Sequence, residues 1–341
     1  MRVGRNPSKS TDESSVDVTA VPEVTVGLLT HAPFLSGYHR DALQVIRLSV
    51  LSARAHADRP IHLLVVDNGS CAEVRGWLLQ ALGEGAIDQL VLNRRNLGKL
   101  TALSQILLGA PSPDVVYADG DLRFRPGWLA DLDRLRSAFP EAGVIGGTPP
   151  ITSKLPVEDL PAPSAPGSPP EDVVVERGSL LDPALVREWL EETGYSGDPL
   201  ERTLARVLET EDVRLVRDGQ VAMWGAPHAM FMVTDAVRQR LRFLHGDRAL
   251  DASEDRIADE SIDRALDELG LLRLSVPRPV LHHVGNRLGA DDLAELARLS
   301  GERARPVRSK LNARVWRRAR VRQLAQAVHH WSFRVLYEPD R

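Results

Sequence analysis

Val115-Val116-Tyr117-Ala118-Asp119-Gly120-Asp121 is the stretch on which the fold turns. It opens with apolar and β-branched residues, a short run that suits a strand buried on both faces. It ends in two carboxylates separated by a glycine. A strand of this kind delivers the acids to its carboxyl end, where ligands of open α/β sheets bind. The glycine is expected to let the backbone turn, so that Asp119 and Asp121 point toward one spot. Two hard oxygen ligands at one spot suit Mg²⁺ or Mn²⁺. Asp-Gly-Asp taken alone is also ordinary turn chemistry, so its surroundings must decide.

Those surroundings repeat the pattern. Residues 24–29, 61–67, 89–92, 114–118 and 143–146 read as short strands. Residues 40–57, 72–82, 100–108 and 128–139 read as helices between them. This alternation predicts an α/β fold, a mainly parallel sheet with helices on both faces. Ser70 is expected to cap the second helix and Gly83 to end it. The second half is mixed. Asp182-Pro183 opens a helix that Gly194 stops, 221–224 and 230–233 read as strands, and a helix spans about 259–269 before Gly270.

Composition sets the limits. The chain has 341 residues, is 43% hydrophobic and carries a net charge of −4. That is enough for a large core and does not favour nucleic acid as a partner. One cysteine, Cys71, excludes an internal disulfide framework and a cysteine-based zinc site, and fits a reducing, cytoplasmic setting. No apolar run approaches the roughly 20 residues of a membrane-spanning helix. Arginine supplies nearly all of the 43 cationic residues, a bias typical of G+C-rich bacterial coding.

In order and spacing the motifs resemble the family-2 glycosyltransferases of the GT-A fold. The matching pieces are Val24-Thr25-Val26-Gly27-Leu28-Leu29-Thr30, Val65-Val66-Asp67-Asn68-Gly69-Ser70, Asn96-Leu97-Gly98 and Asp119-Gly120-Asp121. Phe124 and Pro126-Gly127-Trp128 follow in the family's order. The resemblance is close over 23–147 and looser beyond. It implies a metal-dependent, inverting transfer of a sugar from a nucleotide diphosphate donor to an acceptor hydroxyl. It implies that Thr30 and Asp67 contact the nucleoside, and that Asn96, Gly98 and Lys99 lie near the base or phosphates. Asp119 would reach the ribose or the metal, and Asp121 the metal. Asp259 stands where the family's catalytic acid is expected, but the usual Glu-Asp order is reversed here, so Asp259 and Glu260 both stay open as the base. His282 and His283 alternate on a predicted strand; one of them would be a metal ligand, with His283 favoured.

Composition and the resemblance together divide the chain into a disordered leader (1–22), a nucleotide-sugar half (23–147), a proline-rich loop (148–172), an acceptor half (173–290) and a basic helical extension (291–341). Eight prolines in 149–170 rule out a helix or a central strand there and suggest a mobile flap. Residues 303–334 hold ten Lys/Arg and no acid, with Trp316, Trp331 and Phe333 among them. That segment either packs on the acidic body or docks peripherally on an anionic membrane. The acceptor stays open: a glycan, a lipid-linked sugar, a peptide or a small natural product. Other classes fit less well. A nucleotidyltransferase needs a glycine-rich basic loop after the first strand, and a dehydrogenase needs Gly-x-Gly-x-x-Gly there; Thr30-His31-Ala32-Pro33-Phe34 is neither. The intact Asp119 and Asp121 pair argues against a non-catalytic sugar- or nucleotide-binding module.

Overall fold

The computed structural model describes residues 21–155, 159–161, 165, 167–241 and 255–301, without the side chains of 236, 240, 241 and 255–261. The leader to residue 20, parts of the proline-rich stretch and the basic segment 303–334 lie outside the described residues.

In the N-terminal half, β1 (Val24–Thr30), β2 (His62–Asn68), β3 (Gln89–Asn93) and β4 (Asp114–Asp119) are parallel, in the order β3-β2-β1-β4. Between them run α1 (Ala42–Ala55), α2 (Ala72–Gly83) and α3 (Lys99–Gly109). Then come β5 (Leu122–Phe124), α4 (Trp128–Ala138) and β6 (Ala142–Gly146). The second half adds β7 (Val174–Gly178), α5 (Pro183–Glu192), α6 (Asp198–Glu209), β8 (Asp212–Arg217), β9 (Gln220–Trp224) and β10 (Met230–Val233). It closes with α7 (Asp235–Leu241), α8 (Asp255–Leu269), β11 (Leu272–Ser275), β12 (Leu281–His283) and α9 (Ala290–Ser300).

Among the described residues ten strands form one mixed sheet, ordered β3-β2-β1-β4-β10-β6-β11-β9-β8-β7. It is parallel through the first four strands and again where β6 meets β11. The antiparallel part begins where β10 inserts between β4 and β6. The β8–β9 hairpin turns on Asp218-Gly219, both at positive φ (50° and 76°), the signature of a two-residue type I′ turn.

Alternation divides the core. Val24, Val26, Leu63, Val65, Val116 and Ala118 face α1, α2 and α4 in one apolar cluster. Leu64, Val66, Val115, Tyr117, Phe231 and Val233 face α3 and α8 in a second. Helices thus cover both faces, as period-2 patterning in a buried strand requires. Gly27 permits the closest approach: a Cβ there would stand 2.1 Å from Ile106 Cγ2 of α3.

Three local expectations are corrected. Ser70 does not cap α2; its Oγ accepts from Ala32 N–H at 2.9 Å, and Cys71 takes the cap position. Gly83 is the last residue inside α2, and the positive-φ glycine just past the end is Gly85 (75°). The acid-bearing helix α8 runs from Asp255, so Asp259 and Glu260 lie a turn inside it instead of opening it. The proline-rich stretch is anchored at described points: Ile151 and Leu160 are buried, and Lys154 Nζ lies 2.7 Å from Asp212.

α9 packs on α1 beneath the site strands through Leu48, Val284 and Leu296. Glu295 fastens this contact, 2.7 Å from His56 Nε2. Hydrogen bonds from Arg298, then from His56, hold the Glu295 carboxyl well below its usual range, at about 2. A depressed carboxyl stabilises the fold above its unfolded pKa, and that contribution is lost as pH falls through the folded value. Glu295→Gln should therefore lower unfolding free energy at pH 7 by about 1 kcal/mol. The deficit should shrink at pH 3. Urea titration at the two pH values checks this, and an equal deficit at both would contradict it.

Candidate active site

The site sits at the carboxyl ends of β1, β2 and β4. Registers Thr30↔Asp67 and Leu29↔Asp119 put three polar residues on one rim of the sheet. Asp67 is fully buried. Its oxygens accept from Thr30 Oγ1 (3.3 Å) and from Ser70 N–H (3.2 Å). Asn68, next along β2, organises the loop before α3. Its Nδ2 donates to Asn96 Oδ1 (2.8 Å) and the Gly98 carbonyl (3.2 Å), while its Oδ1 accepts from Leu97 N–H (2.9 Å). Gly69 (φ 86°) is required here, because a Cβ would stand 2.5 Å from the Arg95 carbonyl carbon. Asn96 Oδ1 also accepts from Gly98 N–H at 2.8 Å, so that side chain holds the loop.

Asp119 ends β4. Its backbone N–H donates to Ala229 O (2.8 Å), and its Oδ1 accepts from Tyr117 Oη (2.5 Å). Lys99 Nζ, in the first turn of α3, is 3.9 Å from Asp119 Oδ2 and lies over the Tyr117 ring. Loss of water pushes the Asp119 carboxyl up to about 6, and the charge of Asp121 adds to the rise. Lys99, Tyr117 and His283 oppose it.

Gly120 serves a purpose other than the expected one. Its φ is not positive; its role is close approach, since a Cβ would meet the Leu29 carbonyl oxygen at 2.7 Å and Thr30 Cγ2 at 2.9 Å. The missing side chain lets Asp119 and Asp121 press against the end of β1.

β12 pairs antiparallel with β5 in the register His283↔Leu122, and Val284 N–H donates to the Asp121 carbonyl (3.0 Å). That pairing brings His283 Nε2 within 3.5 Å of Asp121 Oδ2. The other oxygen, Asp121 Oδ1, is buried and has no hydrogen-bond partner among the described residues. An orphaned carboxylate oxygen beside an imidazole is chemistry that suits a divalent cation. Among the described residues no three His, Cys, Asp or Glu side chains converge as a complete ligand set. His282 points the other way, to Glu192 (2.7 Å).

Two site residues were absent from the sequence reading. His31 Nδ1 is 2.9 Å from the Asn68 carbonyl, so it carries the proton and donates; Nε2 is left to face Asn96 Nδ2. Tyr38 lies in a 3₁₀ turn (Gly37–His39), and its phenol is raised by burial and then by the charge of Asp121. The position of His31, directly after Thr30 at a strand end, was a usable signal; Tyr38, in a loop, offered none.

α8 is brought to the site by the loop that leads into β10. His228, one residue before Ala229, stands 3.6 Å from Asp263, one turn beyond Asp259. The side chains of Asp259 and Glu260 are outside the described set.

No family model and no curated protein matches the chain. Among solved structures it is similar to a mannosyltransferase, PcManGT from Pyrobaculum calidifontis, in complex with GDP-Man and Mn²⁺. The identity is 15% and the TM-score 0.42, over 76% of this chain and 56% of that one. It is also similar to S. aureus TarS 1-349 in complex with UDP, at 12% identity and TM-score 0.42, over 82% of this chain and 64% of that one. This chain thus spans less than two thirds of either. Among the described residues, no helix is long and apolar enough to cross a membrane.

The raised Asp119 carboxyl has a consequence for stability. An acid whose folded pKa lies above its unfolded one destabilises the fold when ionised, fully above about pH 6 and not at all below its unfolded value. Asp119→Asn keeps an acceptor for Tyr117 and should raise unfolding free energy by about 1 kcal/mol at pH 8. The gain should vanish toward pH 4. Thermal unfolding at both pH values is the measurement, and a loss of stability at pH 8 would refute the expectation.

Proposed function

We propose that this protein is a metal-dependent glycosyltransferase that moves a sugar from a nucleotide diphosphate donor to an acceptor hydroxyl, with inversion. One observation carries the reading. Asp121, at the rim of the parallel part of the sheet, has one oxygen buried and unpartnered among the described residues and the other beside His283. With Asp119, that is a partial ligand set whose remaining positions the diphosphate oxygens would complete.

Each residue then has a task. Asp121 and His283 would hold Mn²⁺ or Mg²⁺, with Asp119 on the ribose or the metal. When bound, the ion neutralises charge that develops on the departing diphosphate. Lys99 adds a fixed positive charge at the start of α3, whose first N–H groups also favour phosphate. Thr30 and Asp67 set the nucleoside end. The loop bound by Asn68, with Asn96 and Gly98, would close over the donor. Asp259 or Glu260 removes the proton from the acceptor hydroxyl. One base and no protein nucleophile give a single displacement at the sugar carbon.

Nucleoside diphosphate release, measured across UDP-, GDP- and dTDP-sugars with Mn²⁺, Mg²⁺ or EDTA, tests the class of reaction. Release is expected for one donor series, dependent on metal and lost in Asp121→Ala with the fold intact. No release from any donor, or full activity of the variant in EDTA, would sink the proposal.

The base is tested separately. Either Asp259→Asn or Glu260→Gln should lower kcat on the order of 10²-fold or more while the affinity for the nucleoside diphosphate is kept. Equal kcat in wild type and both variants would mean that neither acid is the base.

A further inference from the structure

α5 presents two different stripes. Val186 and Leu190 are buried in an apolar cluster with Leu200, Leu204 and Val207 of α6. The other stripe carries Glu188, Trp189 and Glu192, which wall a cavity of about 260 Å³ facing Arg125 and Arg278. This is not the cleft at Asp121. His282 meets Glu192 on the cavity side, while its neighbour His283 meets Asp121 on the other side of β12.

The lining selects a ligand class. Arg125 lies 3.7 Å from Glu188 and 3.8 Å from Glu192, beyond hydrogen-bond distance, so its N–H groups can still donate. Arg278 is exposed and has no ion pair among the described residues. Trp189 is half-buried, packing in part against the apolar cluster of α5 and α6, and offers the rest of its surface beside these groups. With Asp182, three carboxylates stand against two guanidinium groups. A phosphate would meet the carboxylates and a cation the arginines. A neutral polyhydroxylated ring satisfies both, because hydroxyls donate to carboxylates and accept from guanidinium, while its C–H face can lie on the indole. The volume is slightly below the ~300–1,000 Å³ of drug-sized pockets, which suits one ring better than a whole nucleotide sugar.

Arg125 follows Asp121 by four residues along the β5 strand, roughly 13 Å at extended spacing. We propose that this cavity is an acceptor subsite that holds a neutral sugar ring of an oligosaccharide whose reacting end lies at Asp121. The proposal rests on the glycosyltransferase reading and extends it to the acceptor.

The test is direct binding to the full chain. Short neutral malto-, cello-, manno- and N-acetylated chito-oligosaccharides are titrated by calorimetry and by saturation-transfer NMR. One series is expected to bind, and Arg278→Ala and Glu188→Gln should each weaken it by about 5-fold or more. Trp189→Ala should abolish it, with circular dichroism to confirm the fold; Arg278→Ala, at an exposed side chain, covers the case in which the Trp189 variant unfolds. Asp121→Ala should leave oligosaccharide binding unchanged while donor turnover stops, which separates this site from the donor site. Absence of binding by every series, or binding that ignores all three cavity substitutions, overturns the proposal. Oligosaccharide binding by a wild type that turns over no donor removes the acceptor role and overturns it as well.

Discussion

Strand β4 is hydrogen-bonded on both sides, parallel to β1 and antiparallel to β10. A strand placed so deep must satisfy its backbone within the sheet, and the buried Val115, Val116, Tyr117 and Ala118 let it do so. Asp119 is the first residue that can turn from this core toward solvent. The rest of the site is arranged around that exit. β1 and β2 bring Thr30 and Asp67 to the same rim, α3 brings Lys99, and the β5–β12 ribbon brings His283 to Asp121.

The arrangement is strained electrostatically. Asp119 is driven upward by desolvation and by its neighbour, and Asp121 keeps a buried oxygen that has no donor among the described residues. Groups left in this condition destabilise a fold unless a ligand completes them. The cost is confined to two residues, and the supports around them are rigid: Asn68 holds the α3 loop through its side-chain amide, and Gly120 and Gly69 permit backbone contacts that any side chain would forbid. The site is thus held firmly and left electrostatically unsatisfied, which is the condition on which the proposed metal site rests.

Much of the parallel half was legible in the sequence, because buried parallel strands are written as continuous apolar runs ending in polar residues. The ends of β1, β2 and β4 were found in this way; alternation put His282 and His283 on opposite sides, and His283, favoured for its place two residues before Gly285, is the one that meets Asp121. The antiparallel half was harder. β7 (VVERG) and β8 (DVRLVR) mix charge with apolar residues because they lie toward the sheet edge; the Asp218-Gly219 turn, which joins β8 to β9, was a signal present but not used. Gly120 was read as a turn residue, since sequence shows the absence of a side chain but not the carbonyl that needs the space. Ser70 looked like a helix cap and is used across the sheet by Ala32; a hydroxyl's choice between local and distant partners is decided by tertiary packing. The cavity beside α5 depends on residues from three separate segments, and no linear pattern announces such a meeting.

The insertion of β10 between β4 and β6 bears on how the chain reaches this structure. β4 and β6 are close in sequence but are not paired with each other; the strand that joins them is made about a hundred residues later. Until β10 arrives, both present open edges, and β11 must then add beside β6. Such non-local pairing raises contact order and slows folding. A nascent chain that has emerged only through β6 carries the rim with Thr30, Asp67 and Asp119 without the strand that seals it, with two unpaired edges available to other chains. The parallel N-terminal half is therefore not a module that can be cut out and kept; its last interior bonds are supplied by the second half of the chain.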